Sequence, residues 1–335
     1  MAGPPDSILV YVGLDAVGDG LMKLPFLRAL RTAFPSAHIT WMAGKGHTVY
    51  AGTLAPVVAG LVDEVLDDAR LGSRLAELFG REPLGGRHFD LIIDTQRRLL
   101  TTLILRRVRH RRLISAAAGF RLSDARPPAH WRRPAAMVDQ LLTLVELASG
   151  TTAETLAPLP RDGAAERLAD GLLPPGPIYV GFAPGAGGRQ KCWPLARYLE
   201  LGGLQSAEGR VPVFFLGPAE AEWAAAVRQA MPNAVLPLQG IDNATPMLTI
   251  ALARRLAAAV ANDSGTGHML AAADVPLVSL FGPTPPEKFA PAARHLTLVR
   301  AQQWGGAAME LIPFDAVAAA LADALANRSA TAALL

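Results

Sequence analysis

The chain reads as an α/β protein built from two Rossmann-like units, and three observations lead there. Its 335 residues are too many for one ordinary core, so two domains are expected. Short apolar segments rich in β-branched residues alternate with helical patterns, the mark of a parallel sheet covered on both faces. The alternation halts at a proline- and glycine-rich stretch over 157–177 and then restarts. A composition of 51% hydrophobic and 18% charged residues supports large cores and excludes disorder.

Each element has its own signal. "SILVYVGL" (7–14) is a buried strand ended by glycine. "VGDGLMKLPFLRALRTAFP" turns and becomes helical, with Leu24, Leu27 and Leu30 at helical spacing and Pro35 as the stop. "AHITWMAG" is a short strand, "VDEVLDD" a weaker one and "HFDLIIDT" (88–95) a strong one. "APLPRDGAAERLADGLLPPGP" (157–177) reads as a linker or domain edge. Strands then recur at "IYVGFAPG", "VPVFFLG", "AVLPLQG", "LAAAVAN" and "VPLVSLFG". Helices lie at "PLARYLELGGLQSA", "AEAEWAAAVRQA", "TPMLTIALARR", "TGHMLAAAD" and finally "FDAVAAALADALANR". The expected division is 1–165, 175–315 and a terminal helix and tail over 316–335, with 329–335 frayed.

One cysteine excludes an internal disulfide framework and suits a reducing, cytoplasmic compartment. No secretory signal is expected, and no apolar run reaches the length of a membrane span. The net charge is only +3, but Arg97, Arg98, Arg106, Arg107, Arg109, Arg111 and Arg112 cluster within 97–112. Such a stretch is either a solvated helix face or a surface for anionic lipid, nucleic acid or a phosphorylated substrate. Aromatics do not alternate with the arginines, which argues against single-stranded nucleic acid.

Ligands of such sheets bind beyond the carboxyl ends of the strands, so two facing halves would place a site in the cleft between them. Three polar loops stand at strand ends. In "GDG" (18–20), Asp19 is either an N-cap or a general base. In "APGAGGRQKCWP" (183–194), small residues let backbone amides approach a ligand, and Lys191 adds a mobile charge suited to phosphate. This is not a Walker loop, because Gln190 and Cys192 stand where glycine and Ser or Thr belong, and "GLDAVGDG" lacks the dinucleotide spacing. In "ANDSGTGHML" (261–270), Ser264 or Asp263 can cap a helix whose first free N–H groups form an anion site. His268 lies in its first turns, either as a phosphate donor or as a structural hydrogen-bonder. No second His or Cys stands at ligand spacing, so neither a metal nor a cofactor is expected. "FGPTPPEKF" (281–289) adds another rigid turn.

These separated motifs, in this order, resemble glycosyltransferase family 9, the ADP-heptose:lipopolysaccharide heptosyltransferases. The match is carried by "VGDGLMKLPFLRALRTAFPSAHITWM", "FDLIIDTQ", "PGAGGRQKCWP" and, most specifically, "NDSGTGHMLAAADVPLVSLFGPTPPEKFAP". It spans about residues 7 to 315 and is weakest over about 110–165. Two departures stand out: Cys192 replaces the common basic residue before Trp, and Gly20 the common apolar residue after Asp.

The resemblance implies the GT-B fold, with the acceptor on the first domain, the nucleotide sugar on the second, and metal-independent transfer with inversion. It implies Asp19 as catalytic base and Lys191 as the diphosphate-binding lysine. Gly185, Ala186, Asp263, Ser264, Gly265 and His268 match the nucleotide-sugar motifs, with Asp263 toward the heptose hydroxyls. Glu220 or Glu222 holds the ribose, and the sequence does not choose between them. Gly18, Arg97 and Arg98 fall to the acceptor. The implied partners are ADP-heptose and a lipopolysaccharide-type glycolipid, with peripheral contact at the inner face of the inner membrane. The alternatives are another nucleotide sugar or acceptor on the same fold, or a non-catalytic nucleotide-sugar binder.

Overall fold

The structure is a computed structural model that describes residues 3–152, 159–242 and 244–332, with side chains to residue 326. The chain divides into two units, 1–157 and 158–335, each built on one five-stranded parallel sheet.

In the first unit the strands are β1 (Ser7–Val12), β2 (His38–Ala43), β3 (Glu64–Leu66), β4 (His88–Asp94) and β5 (Arg109–Ser115), in the order β3-β2-β1-β4-β5. Its helices are α1 (Val17–Ala33), α2 (Ala55–Val58), α3 (Leu99–Leu105) and α4 (Met137–Ser149). Ile8 to Val12 are wholly buried because β1 is central and covered on both faces. Leu24, Leu27 and Leu30 form the inner face of α1, and the helix ends at Ala33, two residues before Pro35. The strand order reverses between β1 and β4, which puts the loops after these two strands at the ligand-binding position of a Rossmann sheet.

In the second unit the strands are β6 (Tyr179–Ala183), β7 (Val211–Phe214), β8 (Leu256–Asn262), β9 (Leu277–Phe281) and β10 (Leu296–Arg300), in the order β10-β9-β8-β6-β7. The helices are α5 (Gly163–Leu172), α6 (Leu195–Ala207), α7 (Trp223–Ala230), α8 (Pro246–Ala253), α9 (Gly265–Ala272), α10 (Pro286–Phe289) and α11 (Phe314–Ala332). Phe182, Trp193, Tyr198 and Phe214 anchor the core. Here the order reverses between β6 and β8.

The structure departs from the sequence reading in four places. The arginine-rich stretch is not one helix face: α3 ends at Leu105, and Arg109 begins edge strand β5, whose charged first half lies at the border of the sheet. The 157–177 break contains α5, capped by Asp162, whose Oδ1 accepts from the N–H groups of Ala164 and Ala165 at 2.9 and 3.1 Å. "AVLPLQG" makes only a single bridge, Val213 to Val235, since Pro237 has no N–H to extend the ladder. Helix α11 runs to Ala332, through much of the stretch expected to fray; 333–335 lie outside the described residues.

Candidate functional site

The second unit assembles its site at the β6/β8 reversal. After β6 the chain runs through Pro184, Gly185 and Ala186 to a short turn, Arg189–Lys191, and then to Trp193. The loop is held by one buried amide. Asn262, the last residue of β8, donates from Nδ2 to the Pro184 carbonyl at 2.7 Å and accepts at Oδ1 from the Trp193 N–H and the Tyr198 hydroxyl, both at 3.1 Å. The amide supplies a donor and an acceptor at one tip, and both are used here. The buried Trp193 indole donates to the Ile312 carbonyl at 3.0 Å, which fastens the loop from its far side. Asn262 was not singled out from sequence, although it stands beside Asp263; buried side-chain bonding leaves no periodic signal.

Lys191 and Asp263 meet there, Nζ to Oδ2 at 3.0 Å. Ser264, not Asp263, caps α9: its Oγ accepts from the Gly267 N–H at 3.1 Å. Gly265 is exposed at the start of the helix, and His268 is buried one turn on. Gly267 is required by packing, since a Cβ there would lie 2.8 Å from the Asn262 carbonyl. The remaining N–H groups of the first turn and the helix dipole favour an anion beside Lys191.

The two glutamates separate. Glu220 lies against the glycine loop, where a Cβ on Gly185 would fall 2.5 Å from its carboxylate, and it accepts from the Gly217 N–H at 3.1 Å. Glu222 is exposed and paired with Arg189, whose guanidinium stacks 4.5 Å from the Trp223 ring centroid.

In the first unit Asp19 occupies the third position of α1, not the N-cap, which is Ala16. Helix formation already at Val17 takes Gly18 and Asp19 into the first turn. Asp19 is exposed and reaches back to the Ala16 N–H at 3.3 Å. Gly20 admits the Val49–Ala51 turn: a Cβ would lie 2.6 Å from Val49 Cγ2, and the Tyr50 hydroxyl donates to the Gly20 carbonyl at 2.6 Å. The departure at Gly20 is therefore a packing choice. Behind the loop, buried Asp15 pairs with Lys23 and accepts from Thr48 Oγ1 at 2.9 Å and Trp41 Nε1 at 3.3 Å.

The loop after β4 carries Gln96, Arg97 and Arg98 above a second buried carboxylate, Asp94. Its oxygens accept from Thr102 Oγ1 at 2.6 Å, the Gln96 N–H at 2.8 Å and Ser115 Oγ at 3.0 Å. Burial raises this carboxyl to about 6, against the lowering effect of those bonds and of the Lys45 charge. Lys45, on the loop after β2, is lowered by burial and by Arg98.

Most of the arginine cluster is committed elsewhere. Arg106 donates to the Leu122 carbonyl, Arg107 to those of Glu77 and Gly80, and Arg112 to those of Leu147 and Ala148 at the end of α4. Arg109 pairs with Glu82, and Arg111 with Asp90. Arg97 instead lines a cavity of about 490 Å³ between the ends of β4 and β5 and helix α4; Arg98 occupies the N-cap of α3 and does not line it. Among the described residues no three His, Cys, Asp or Glu side chains converge to hold a metal ion.

Comparison with known proteins places the chain in a family. The family model for glycosyltransferase family 9 (heptosyltransferase) matches residues 80–310. Lipopolysaccharide heptosyltransferase 1 of Pseudomonas aeruginosa is 29% identical over 308 residues, 83% of this chain and 79% of that protein. Lipooligosaccharide heptosyltransferase 2 of Haemophilus influenzae is 33% identical over 134 residues, 38% of each. Among solved structures, a family 9 glycosyltransferase of Veillonella parvula superposes with a TM-score of 0.76 at 21% identity, covering 98% of this chain and 99% of that one. An E. coli heptosyltransferase solved with ADP gives 0.68 at 19% identity, covering 95% and 99%. The fold is the GT-B fold of these enzymes, and the chain belongs to glycosyltransferase family 9, the heptosyltransferase family.

Proposed function

We propose that the protein transfers heptose from ADP-heptose to a lipopolysaccharide core acceptor, with inversion and without a metal. The observation that carries this is the Lys191–Asp263 pair at the amino end of α9, at the sheet reversal of the second unit. Lys191, the first N–H groups of α9 and the helix dipole would meet the diphosphate, whose charge grows as the glycosidic bond breaks. Asp263 would turn from the lysine to the sugar hydroxyls. Glu220, against Gly185, is the better placed of the two glutamates to hold the ribose; Gly185, Ala186, Ser264, Gly265 and His268 complete this side. Exposed Asp19 would take the proton from the acceptor hydroxyl as that oxygen attacks C1. Gly18, Arg97 and Arg98 fall to the acceptor. Names of the relatives support the substrates: one is a lipopolysaccharide heptosyltransferase, and one was solved with ADP. With a glycolipid acceptor the enzyme would work peripherally at the cytoplasmic face of the membrane; no described helix is long and apolar enough to cross it.

Calorimetric titration of ADP, UDP and GDP with EDTA present tests the reading. ADP should bind selectively, and Lys191→Ala should weaken it by about tenfold or more, the loss of one charge-assisted hydrogen bond. Asp19→Asn should keep ADP binding and abolish transfer of heptose. Preference for UDP or GDP would replace the donor, and transfer by Asp19→Asn at the wild-type rate would remove the base.

A further inference from the structure

The amino end of α1 pairs its charges in an unexpected order. Asp19 stands in the first turn, and Lys23 lies one turn on, along the same face. An acid followed by a lysine at this spacing is the arrangement that favours an ion pair along a helix. Helical side chains also lean toward the amino end, so Lys23 leans toward the turn that carries Asp19. Yet the pair does not form. Lys23 reaches past that turn to Asp15, in the loop before the helix. Asp19 keeps only the Ala16 N–H, at 3.3 Å, and among the described residues no cation lies in ion-pair range of it.

Asp15 takes the lysine because of where it sits. Its side chain is fully buried, whereas Asp19 is exposed. Its Oδ2 accepts from Thr48 Oγ1 at 2.9 Å and Trp41 Nε1 at 3.3 Å, and its N–H donates to the His47 carbonyl at 3.1 Å. These bonds fix the acid against the β2 loop and leave Oδ1 for the ammonium. A carboxylate taken out of water needs a counter-charge far more than an exposed one does. The lysine therefore goes to the buried acid, although the exposed one is nearer in sequence.

We infer that Asp15 is a positioning residue for the base: by holding Lys23 it keeps Asp19 out of an ion pair and free to take a proton. A carboxylate paired with an ammonium is a weaker base, because protonation must break the pair. Asp15 acts through Lys23, not on the substrate. The inference rests on the reading of Asp19 as the catalytic base, and it explains why that base stands unpaired one turn from a lysine.

Asp15→Asn tests it. The amide keeps an oxygen for Thr48 and Trp41, but it turns an N–H group toward Lys23 and removes the counter-charge. A crystal structure of the variant should find Lys23 Nζ within about 4 Å of the Asp19 carboxylate. The kcat of heptose transfer should fall about tenfold, with the KM for ADP-heptose unchanged. Asp15→Asn/Lys23→Met removes the competing charge as well, and should recover transfer to within about threefold of wild type. ADP titration of both variants should match wild type, which shows the second unit intact. If Asp15 were only a structural tie, the double variant would be no faster than the single one, and that result would overturn the inference. So would a Lys23 that stays clear of Asp19 in the crystal, or a kcat for Asp15→Asn within about threefold of wild type. Should Asp15→Asn not fold, the double variant decides alone: transfer within about threefold of wild type supports the inference, and a larger loss overturns it. The two readings fail separately. If Asp19→Asn transfers heptose at the wild-type rate, Asp19 is not the base, and the position of Lys23 in the Asp15→Asn crystal still shows whether Asp15 diverts it.

Discussion

Asp94→Asn isolates the cost of one buried charge beneath the loop that carries Arg97. In the folded protein the Asp94 carboxyl titrates near 6, against an ordinary value of 3.8. Below 3.8 it is neutral in both the folded and the unfolded chain, and it costs nothing. Above 6 it is ionised in both, and the folded state bears a buried carboxylate. Between these limits the folded chain holds a proton that the unfolded chain has released, so stability from this group falls as pH rises. A separation of roughly 2 pH units corresponds to ~3 kcal/mol. Asparagine stays neutral throughout, can still accept from the Gln96 N–H, and can donate to the Thr102 and Ser115 hydroxyls after they rotate. The free-energy difference between wild type and Asp94→Asn should therefore move by up to ~3 kcal/mol in favour of the variant between about pH 4 and pH 7. Urea unfolding of both proteins across that range measures it, and titrations common to both cancel. A difference that stays flat with pH, or that moves in favour of wild type, would refute the reasoning.

Other substitutions probe the remaining elements. Asp263→Asn removes the counter-charge of Lys191; calorimetry should find ADP bound as tightly as before or a few-fold tighter, while heptose transfer falls, and a tenfold loss of ADP affinity would contradict the pairing. Asn262→Asp deletes the donor to Pro184 and buries a charge, which should cost about 3 kcal/mol in urea unfolding and abolish ADP binding; an unchanged midpoint would show that the amide is not the tie. Gly44→Ala drives a Cβ to 2.3 Å from the Leu71 carbonyl, and also from Tyr11 Cε2. It should lower stability by about 2 kcal/mol or more, whereas Gly187→Ala, with no atom within 4 Å, should leave the urea midpoint unmoved.

What was legible in the sequence was what repeats or punctuates. The apolar runs of β1, β4, β6, β8 and β9, the leucines of α1 and the stop at Pro35 all follow from local pattern and hold in the structure. Motif order identified the family, and Lys191 and Asp263, both singled out from sequence, come together in space. What was not legible is set by tertiary partners. Strand β5 hides behind alternating arginines because an edge strand can carry charge that neighbouring carboxylates and carbonyls absorb. The choice of Ser264 as cap, the placing of Asp19 within the helix and the split between Glu220 and Glu222 depend on backbone geometry at single residues. Asp15, Lys45, Asp94 and Asn262 were passed over because a buried polar side chain has no periodicity; only its partners reveal it.

The fastening of the glycine loop also has a consequence in time. Trp193 is tied to Asn262, 69 residues later, and its indole to Ile312, 119 residues later. During synthesis, therefore, a chain arrested before these segments emerge would display the loop without its supports. The ability to capture a donor should arise late and all at once, as one event in the folding of the second unit, rather than accumulate strand by strand. A donor molecule that binds only the finished unit would then act as a ligand-dependent check on completed synthesis, withdrawing finished chains from the pool still open to proteolysis.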